Sequence, residues 1–151
     1  MSSVRRIWDR LTSTGPARPD MRLKIANLTR RSVLAHSAEV ADRGATRRKG
    51  LLGRDHLPHG EGLWIVPCES VHTIGMQFPI DLVYLNRALQ VVKVSSSVPA
   101  WRLSACLRAH SVIELPSGTV RATQTTPGDQ LEFCAAVPAD MAPESRLPRR
   151  A

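Results

Sequence analysis

The chain has few aromatic residues and no long apolar run. Phenylalanine, tyrosine and tryptophan make up 4% of its 151 residues. Its strongest apolar segment, residues 80–85, has the length of a strand, whereas a membrane-spanning helix needs roughly 20 residues. The sequence therefore predicts no membrane span. The scarcity of aromatics also argues against a surface that stacks on single-stranded nucleic acid.

Cysteines are few and odd in number, and motifs that would define a cofactor are missing. The three cysteines are Cys68, Cys106 and Cys134, and residues 1–20 contain no apolar stretch of the kind found in a signal peptide. We therefore predict a cytoplasmic protein with reduced thiols.

No paired Cys or His ligands are spaced for zinc, and no glycine-rich phosphate loop is present. We predict no metal and no cofactor.

The length and composition fit one domain. A chain of this size with 42% apolar residues can bury roughly two-thirds of its unfolded surface. Residues 1–20 lack sustained apolar periodicity, so we predict a flexible N-terminal segment. The last residues, 138–151, are rich in proline and arginine and are predicted to be a disordered basic tail. Residues 21–137 remain as a single β domain.

Within that domain, short apolar runs alternate with turn residues. Residues 22–28 alternate in polarity and predict a strand, paired with a second strand at 32–41. Residues 44–52 predict a helix that stops at Gly53. Further strands are predicted at 63–66, 71–76, 80–85, 89–98, 112–115 and 131–136. The pattern indicates a mainly β fold, a compact sandwich or partly closed barrel with one short helix near residues 45–53.

Several separated motifs resemble those of one protein family. The central one is the run from Gly62 to Asn86, which contains His-Thr-x-x-Met at 72–76 followed by Pro-Ile-Asp at 79–81. It is preceded by Arg-Lys-Gly-Leu-Leu-Gly-Arg at 48–54 and followed by Val-Ile-Glu-Leu-Pro-Ser-Gly at 112–118 and Gly-Asp at 128–129. Together, over residues 22–135, they resemble domain of unknown function 192. The resemblance implies a mainly β fold with a short helix, and it implies no activity.

The same central run supplies the candidate site. We expect a concave face that binds a small ligand, formed by Trp64, Cys68, His72, Met76, Asp81 and Trp101. In one extended strand, His72, Ile74 and Met76 would share a face, but Cys68 and His72 would lie about 13 Å apart. They could share a metal or a proton only if the chain bends near Pro67.

Two carboxylates interrupt apolar runs. Asp81 opens one strand and Glu114 lies within another, and an unpaired charge buried there would be costly. We predict that Asp81 fixes a turn through backbone N–H groups or a cation. We predict that Glu114 forms a structural ion pair with Arg102.

These observations leave three functional hypotheses. The first is a non-enzymatic module that binds a small ligand or a peptide. The second is a thiol- or metal-dependent enzyme using Cys68, His72 and Asp81. The third is a basic accessory protein, since the net charge is +8 and a basic surface attracts phosphate or nucleic acid. The cations predicted for such weak anion contacts are Arg30, Arg31, Arg47, Arg48 and Lys49.

Overall fold

A computed structural model of the protein describes residues 3–12 and 21–137, with nine strands and three helices in those ranges. In chain order they are α1 (Ser3–Thr12), β1 (Arg22–Asn27), β2 (Ser32–Ala41), α2 (Gly44–Lys49), β3 (Glu61–Ile65), β4 (Ser70–His72), β5 (Ile80–Leu85), β6 (Val91–Val98), β7 (Leu103–Ala105), β8 (Ser111–Pro116), α3 (Thr119–Thr123) and β9 (Leu131–Ala135). None of these helices is long and apolar enough to cross a membrane.

Seven strands form one curled sheet, a half-barrel, in the order β6-β5-β8-β3-β2-β1-β9. All neighbours are antiparallel except β2 and β3, which run parallel with α2 in the connection between them. The remaining two strands, β4 and β7, form a separate antiparallel ribbon. The mainly β class predicted from the proline-interrupted strand runs is confirmed, and so is the opening β1–β2 hairpin.

The sheet is covered on both faces, so its central strands are apolar throughout. Every residue of β5 and β8 is buried. Because successive side chains of a strand point to opposite faces, β3 sends Trp64 to one face and Leu63 and Ile65 to the other. The face of Trp64, which we call the Trp64 core, includes Leu23, Ile25, Val83, Leu85, Ile113, Leu115 and Phe133. The opposite face, the Tyr84 core, includes Leu51, Leu63, Ile65, Val71, Met76, Leu82, Tyr84 and Val112.

The helices differ from the prediction in number and length. The single helix predicted at residues 44–52 ends at Lys49, because Gly50 takes a positive φ of 48° and breaks the repeat. The stop is thus at Gly50 and not at Gly53. Two further helices, α1 and α3, were not predicted.

The strand predicted at residues 71–76 is also shorter. It ends at His72, since the Thr73 hydroxyl donates to the Pro99 carbonyl and accepts from the Arg102 N–H. Gly75 then reverses the chain at a φ of 82°. His72, Ile74 and Met76 therefore do not share one face of a strand.

The N-terminal helix α1 packs against the domain. Ile7 is 3% exposed and belongs to the Trp64 core, while the Trp8 indole N–H donates to the Arg87 carbonyl at 2.9 Å. The predicted domain limit at residue 21 leaves out this helix, because residues 1–20 lack the sustained apolar periodicity from which docking is predicted. The predicted tail at 138–151 lies outside the described residues.

Asp81 accepts backbone N–H groups, one of the two alternatives predicted for it, but they come from β6 and α3 and not from the turn after Pro79. It is fully buried on the Trp64 side of the sheet. Its Oδ1 accepts the Ser97 N–H at 2.7 Å and its Oδ2 accepts the Val120 N–H at 2.8 Å. Two backbone donors of different segments are thereby satisfied by one carboxylate.

Asp81→Ala should lower the free energy of unfolding by on the order of 2–4 kcal/mol, because it leaves two backbone donors without their partner. Urea denaturation measures the change. Exposed Asp55 provides the control, and Asp55→Ala should stay within about 0.5 kcal/mol of the wild type. An Asp81→Ala protein as stable as the Asp55→Ala control would show that these two bonds do not stabilise the fold.

Candidate functional site

A cleft of about 710 Å³ opens on the Tyr84 side of the sheet. One wall is α2 with the turn that follows it, and the other is the segment from Pro67 through β4. The lining side chains used below are Arg47, Arg48, Lys49, Leu51, Ile65, Cys68, Ser70, Val71, His72, Met76 and Glu114. A volume of this size is typical of small-molecule sites.

Strand periodicity determines which side chains reach the cleft. Ile65 of β3 and Glu114 of β8 lie on the Tyr84 side because they are two residues from Leu63 and Val112, respectively. The end of α2 at Gly50 lets Leu51 turn inward, where it is 2% exposed. The floor of the cleft is thus apolar with one carboxylate in it.

Glu114 is the buried polar group of this cleft. It is 3% exposed, and its Oε2 has no hydrogen-bond partner among the described residues. Burial raises the pKa of Glu114 from its usual 4.5 to about 7, against a weaker lowering by the charge of Arg54. Arg54 itself binds the Glu39 carboxylate through two hydrogen bonds of 2.8 and 3.2 Å. Among the residues that the structure describes, no cation forms an ion pair with the Glu114 carboxyl.

Cys68 lines the same cleft as the Glu114 carboxyl. Burial raises the pKa of its thiol, and the charge of Glu114 adds to that rise, although a hydrogen bond to Ser70 and the charge of Arg47 oppose it. The thiol donates to the Ser70 carbonyl at 3.1 Å. A thiol that ionises with more difficulty than usual is a poor nucleophile near neutral pH. Across residues 3–12 and 21–137, no three His, Cys, Asp or Glu side chains are grouped to hold a metal ion.

Of the six predicted site residues, the cleft brings together Cys68, His72 and Met76. His72 is exposed at the end of β4, and Met76 is 6% exposed in the Tyr84 core. Trp64 and Asp81 are fully buried on the opposite side of the sheet and do not reach the cleft. Their positions are one residue out of phase with the strand residues that face it.

The other predictions from the same region are corrected. Trp101 is 67% exposed, takes a positive φ of 63° and does not line the cleft. The predicted pair of Arg102 with Glu114 is absent from the ion pairs of the described residues. Arg102 donates instead to the Trp101 carbonyl at 3.2 Å. Arg102 lies in the loop between β6 and β7, whereas Glu114 lies in the middle of the sheet.

The predicted cations fall into two groups. Arg47, Arg48 and Lys49 belong to the last turn of α2 and line the cleft. Arg30 and Arg31 follow β1, where Arg30 pairs with Asp129 at 3.1 Å. The whole of β2 separates the groups, and its ten residues span roughly 33 Å.

Sequence reasoning placed Glu114 in a structural pair and missed Leu51 and Ile65 as parts of the site. One signal was available, since Glu114 is an acidic residue within an apolar strand. The fold adds that the same strand is buried on both faces, which leaves its carboxylate only the cleft to face.

The half-barrel sheet, the β4–β7 ribbon and the cleft under α2 together define a small, mainly β domain with a concave candidate site. Its family is shown by a family model that matches residues 26–133: the chain belongs to the DUF192 family, described as "Uncharacterized ACR, COG1430". A UPF0127 protein of Pyrococcus furiosus is similar to it, with 30% identity over 113 residues that cover 71% of this chain and 95% of the relative.

Two solved structures share the fold. A protein of unknown function from Novosphingobium aromaticivorans has a TM-score of 0.63 and 18% identity, covering 74% of this chain and 83% of its own. A protein of Sinorhizobium meliloti proposed to be a transcription regulator has a TM-score of 0.66 and 18% identity, covering 75% and 92%. At this identity the likeness establishes the architecture alone.

Cys68 should react slowly with iodoacetamide at pH 7.5, because the thiol is half-buried and its pKa is raised. Peptide mapping of timed samples should find Cys134, which is exposed, modified severalfold faster. Fast modification of Cys68 below pH 7 that disappears in His72→Ala would contradict this and indicate an activated thiol.

The contribution of Glu114 to the stability of the protein should fall as pH rises from about 4.5 to 7. In that window the folded state retains a proton on Glu114 that the unfolded state has lost, because the folded pKa is raised to about 7. Glu114→Gln should remove this loss, which is on the order of 3 kcal/mol. The stability of the variant, measured relative to that of the wild type, should therefore be higher at pH 8 than at pH 4.5. Urea denaturation across this range measures it. Glu132→Gln, on edge strand β9, should keep the shape of the wild-type profile; an unchanged profile in Glu114→Gln would refute the assignment.

Proposed function

We propose that the protein is a non-enzymatic binding module that holds a small ligand in the cleft between α2 and β4. The observation that carries the proposal is Glu114, a carboxyl group 3% exposed whose Oε2 has no hydrogen-bond partner within residues 3–12 and 21–137. A buried polar atom without a hydrogen bond costs about 1–3 kcal/mol in a folded protein. A ligand that supplies the missing partner would recover that free energy on binding.

The surroundings of Glu114 support a binding role. Leu51, Ile65 and Met76 provide apolar contact area around the carboxylate, and the cations of α2 lie at the rim. Small-molecule sites have this composition, with mainly apolar walls and a few polar groups that fix orientation.

The enzyme hypothesis receives less support. A cysteine nucleophile needs a base within hydrogen-bond reach and a group that orients the base. Cys68 has a raised thiol pKa and donates to a backbone carbonyl. Asp81, its proposed third member, uses both oxygens on backbone N–H groups on the far side of the sheet.

The nucleic-acid hypothesis is also less favoured. Its cations would need to form one continuous face to follow a phosphate backbone. Arg30 is engaged with Asp129, and β2 separates it from the cations of α2. The basic turn of α2 is instead adjacent to the cleft, where it can attract a small anion.

The cleft should bind 8-anilinonaphthalene-1-sulfonate, an anionic aromatic probe that suits a cationic rim and an apolar floor. Ser70→Trp places a bulky side chain at the cleft and should weaken binding at least tenfold, which corresponds to about 1.4 kcal/mol. The matched control is Ser96→Trp on β6, an exposed serine outside the cleft. It should stay within twofold of the wild type in the same fluorescence titration.

Melting curves establish that both variants fold. Equal affinity of the two variants, or no binding by the wild type, would contradict the assignment of the cleft as the binding site.

A further inference from the structure

We propose that the ligand is a compact zwitterion, a small molecule whose ammonium group pairs with Glu114 and whose carboxylate or phosphate pairs with Arg47. Its apolar body packs against the wall of the cleft. The inference rests on the binding function proposed above and assigns the chemical class of its ligand.

The cationic end of the ligand follows from the position of Glu114. The cation whose charge acts on Glu114 is Arg54. Arg54 is already bound to Glu39 through two hydrogen bonds of 2.8 and 3.2 Å. A neutral donor could satisfy one oxygen but would leave a buried carboxylate charge uncompensated. An ammonium group supplies both the hydrogen bond and the opposite charge, which a buried carboxylate needs.

The anionic end follows from α2. Arg47 is half-buried at the cleft, and its charge acts on the Cys68 thiol beside Glu114. It forms no ion pair among residues 3–12 and 21–137. Arg47 and Glu114 therefore present opposite charges to one space, and neither neutralises the other.

Glu114 and Arg47 meet the cleft at the same end of α2. A Cβ atom at Gly50 would be 3.9 Å from Glu114 Oε2 and 4.0 Å from the Arg47 carbonyl oxygen. The carboxylate thus lies against the last turn of α2, from which Arg47 projects. A small molecule that carries both charges, as an α-amino acid does, suits a cleft lined by both residues. The apolar remainder would rest on Leu51 and Met76.

Three compounds that differ by one charged group test the proposal: phenylalanine, 3-phenylpropanoate, which lacks the amine, and 2-phenylethylamine, which lacks the carboxylate. Isothermal titration at pH 8, above the pKa of about 7 for Glu114, keeps the carboxylate charged. Phenylalanine should bind at least tenfold more tightly than either analogue, because only it meets both charges.

Matched variants separate the two ends. Glu114→Gln should reduce the affinity for phenylalanine to that of 3-phenylpropanoate, and Arg47→Gln should reduce it to that of 2-phenylethylamine. The controls are Glu132→Gln and Arg121→Gln, which remove the same charges outside the cleft and should stay within twofold of the wild type. Melting curves confirm that each variant is folded.

The outcomes distinguish this inference from the binding function itself. If the anilinonaphthalene probe binds in the cleft but the three compounds bind equally, or phenylalanine does not bind at about 10 mM, the zwitterion is refuted and the cleft remains a binding site. A preference for phenylalanine that survives in Glu114→Gln also refutes it. If neither the probe nor any of the three compounds binds, both proposals fail.

Discussion

The burial of the sheet on both faces is the constraint on which the rest of this structure depends. Strands β5 and β8 are buried along their whole length, so any polar side chain within them must find a partner inside the protein. The apolar residues of these strands meet no such requirement, and they alternate between the Trp64 core and the Tyr84 core. The need for a hydrogen-bond partner is greatest for the two acidic residues of these strands. Asp81 lies on the side of the Trp64 core, and Glu114 lies on the side of the Tyr84 core, where the cleft opens.

Asp81 and Glu114 meet the same constraint in opposite ways. Asp81 accepts two backbone N–H groups, and its charge is spread over hydrogen bonds that also fix Ser97 and Val120. Glu114 has an Oε2 without such a donor, and the free energy of burying its charge shifts its pKa to about 7. The first arrangement is complete within the protein. The second leaves Oε2 without a partner among the described residues, in a side chain that lines the cleft. The two carboxylates therefore differ in their surroundings, although each interrupts an apolar run of the sequence.

The fold was more accessible from the sequence than the site, for physical reasons. A period of two predicts the strands and the β1–β2 hairpin, because burial on one face repeats locally along the chain. It does not tell which face of a doubly covered sheet a residue occupies, so Trp64 and Asp81 were grouped with Cys68 and His72. A shift of one residue changes the face. The end of β4 depends on the bonds of Thr73 to distant loop residues, which no local pattern contains.

The pairing of β1 with β9 has a consequence for how the chain folds. Leu23 lies opposite Ala135 in this pair, so the two residues that meet there are separated by nearly the whole domain. Contacts between residues far apart in sequence slow folding, because a long loop must close before they form. During synthesis, β1 and β2 can form their hairpin early, but the free edge of β1 stays open until β9 has been made. The protein therefore completes its sheet only after almost all of the domain has left the ribosome.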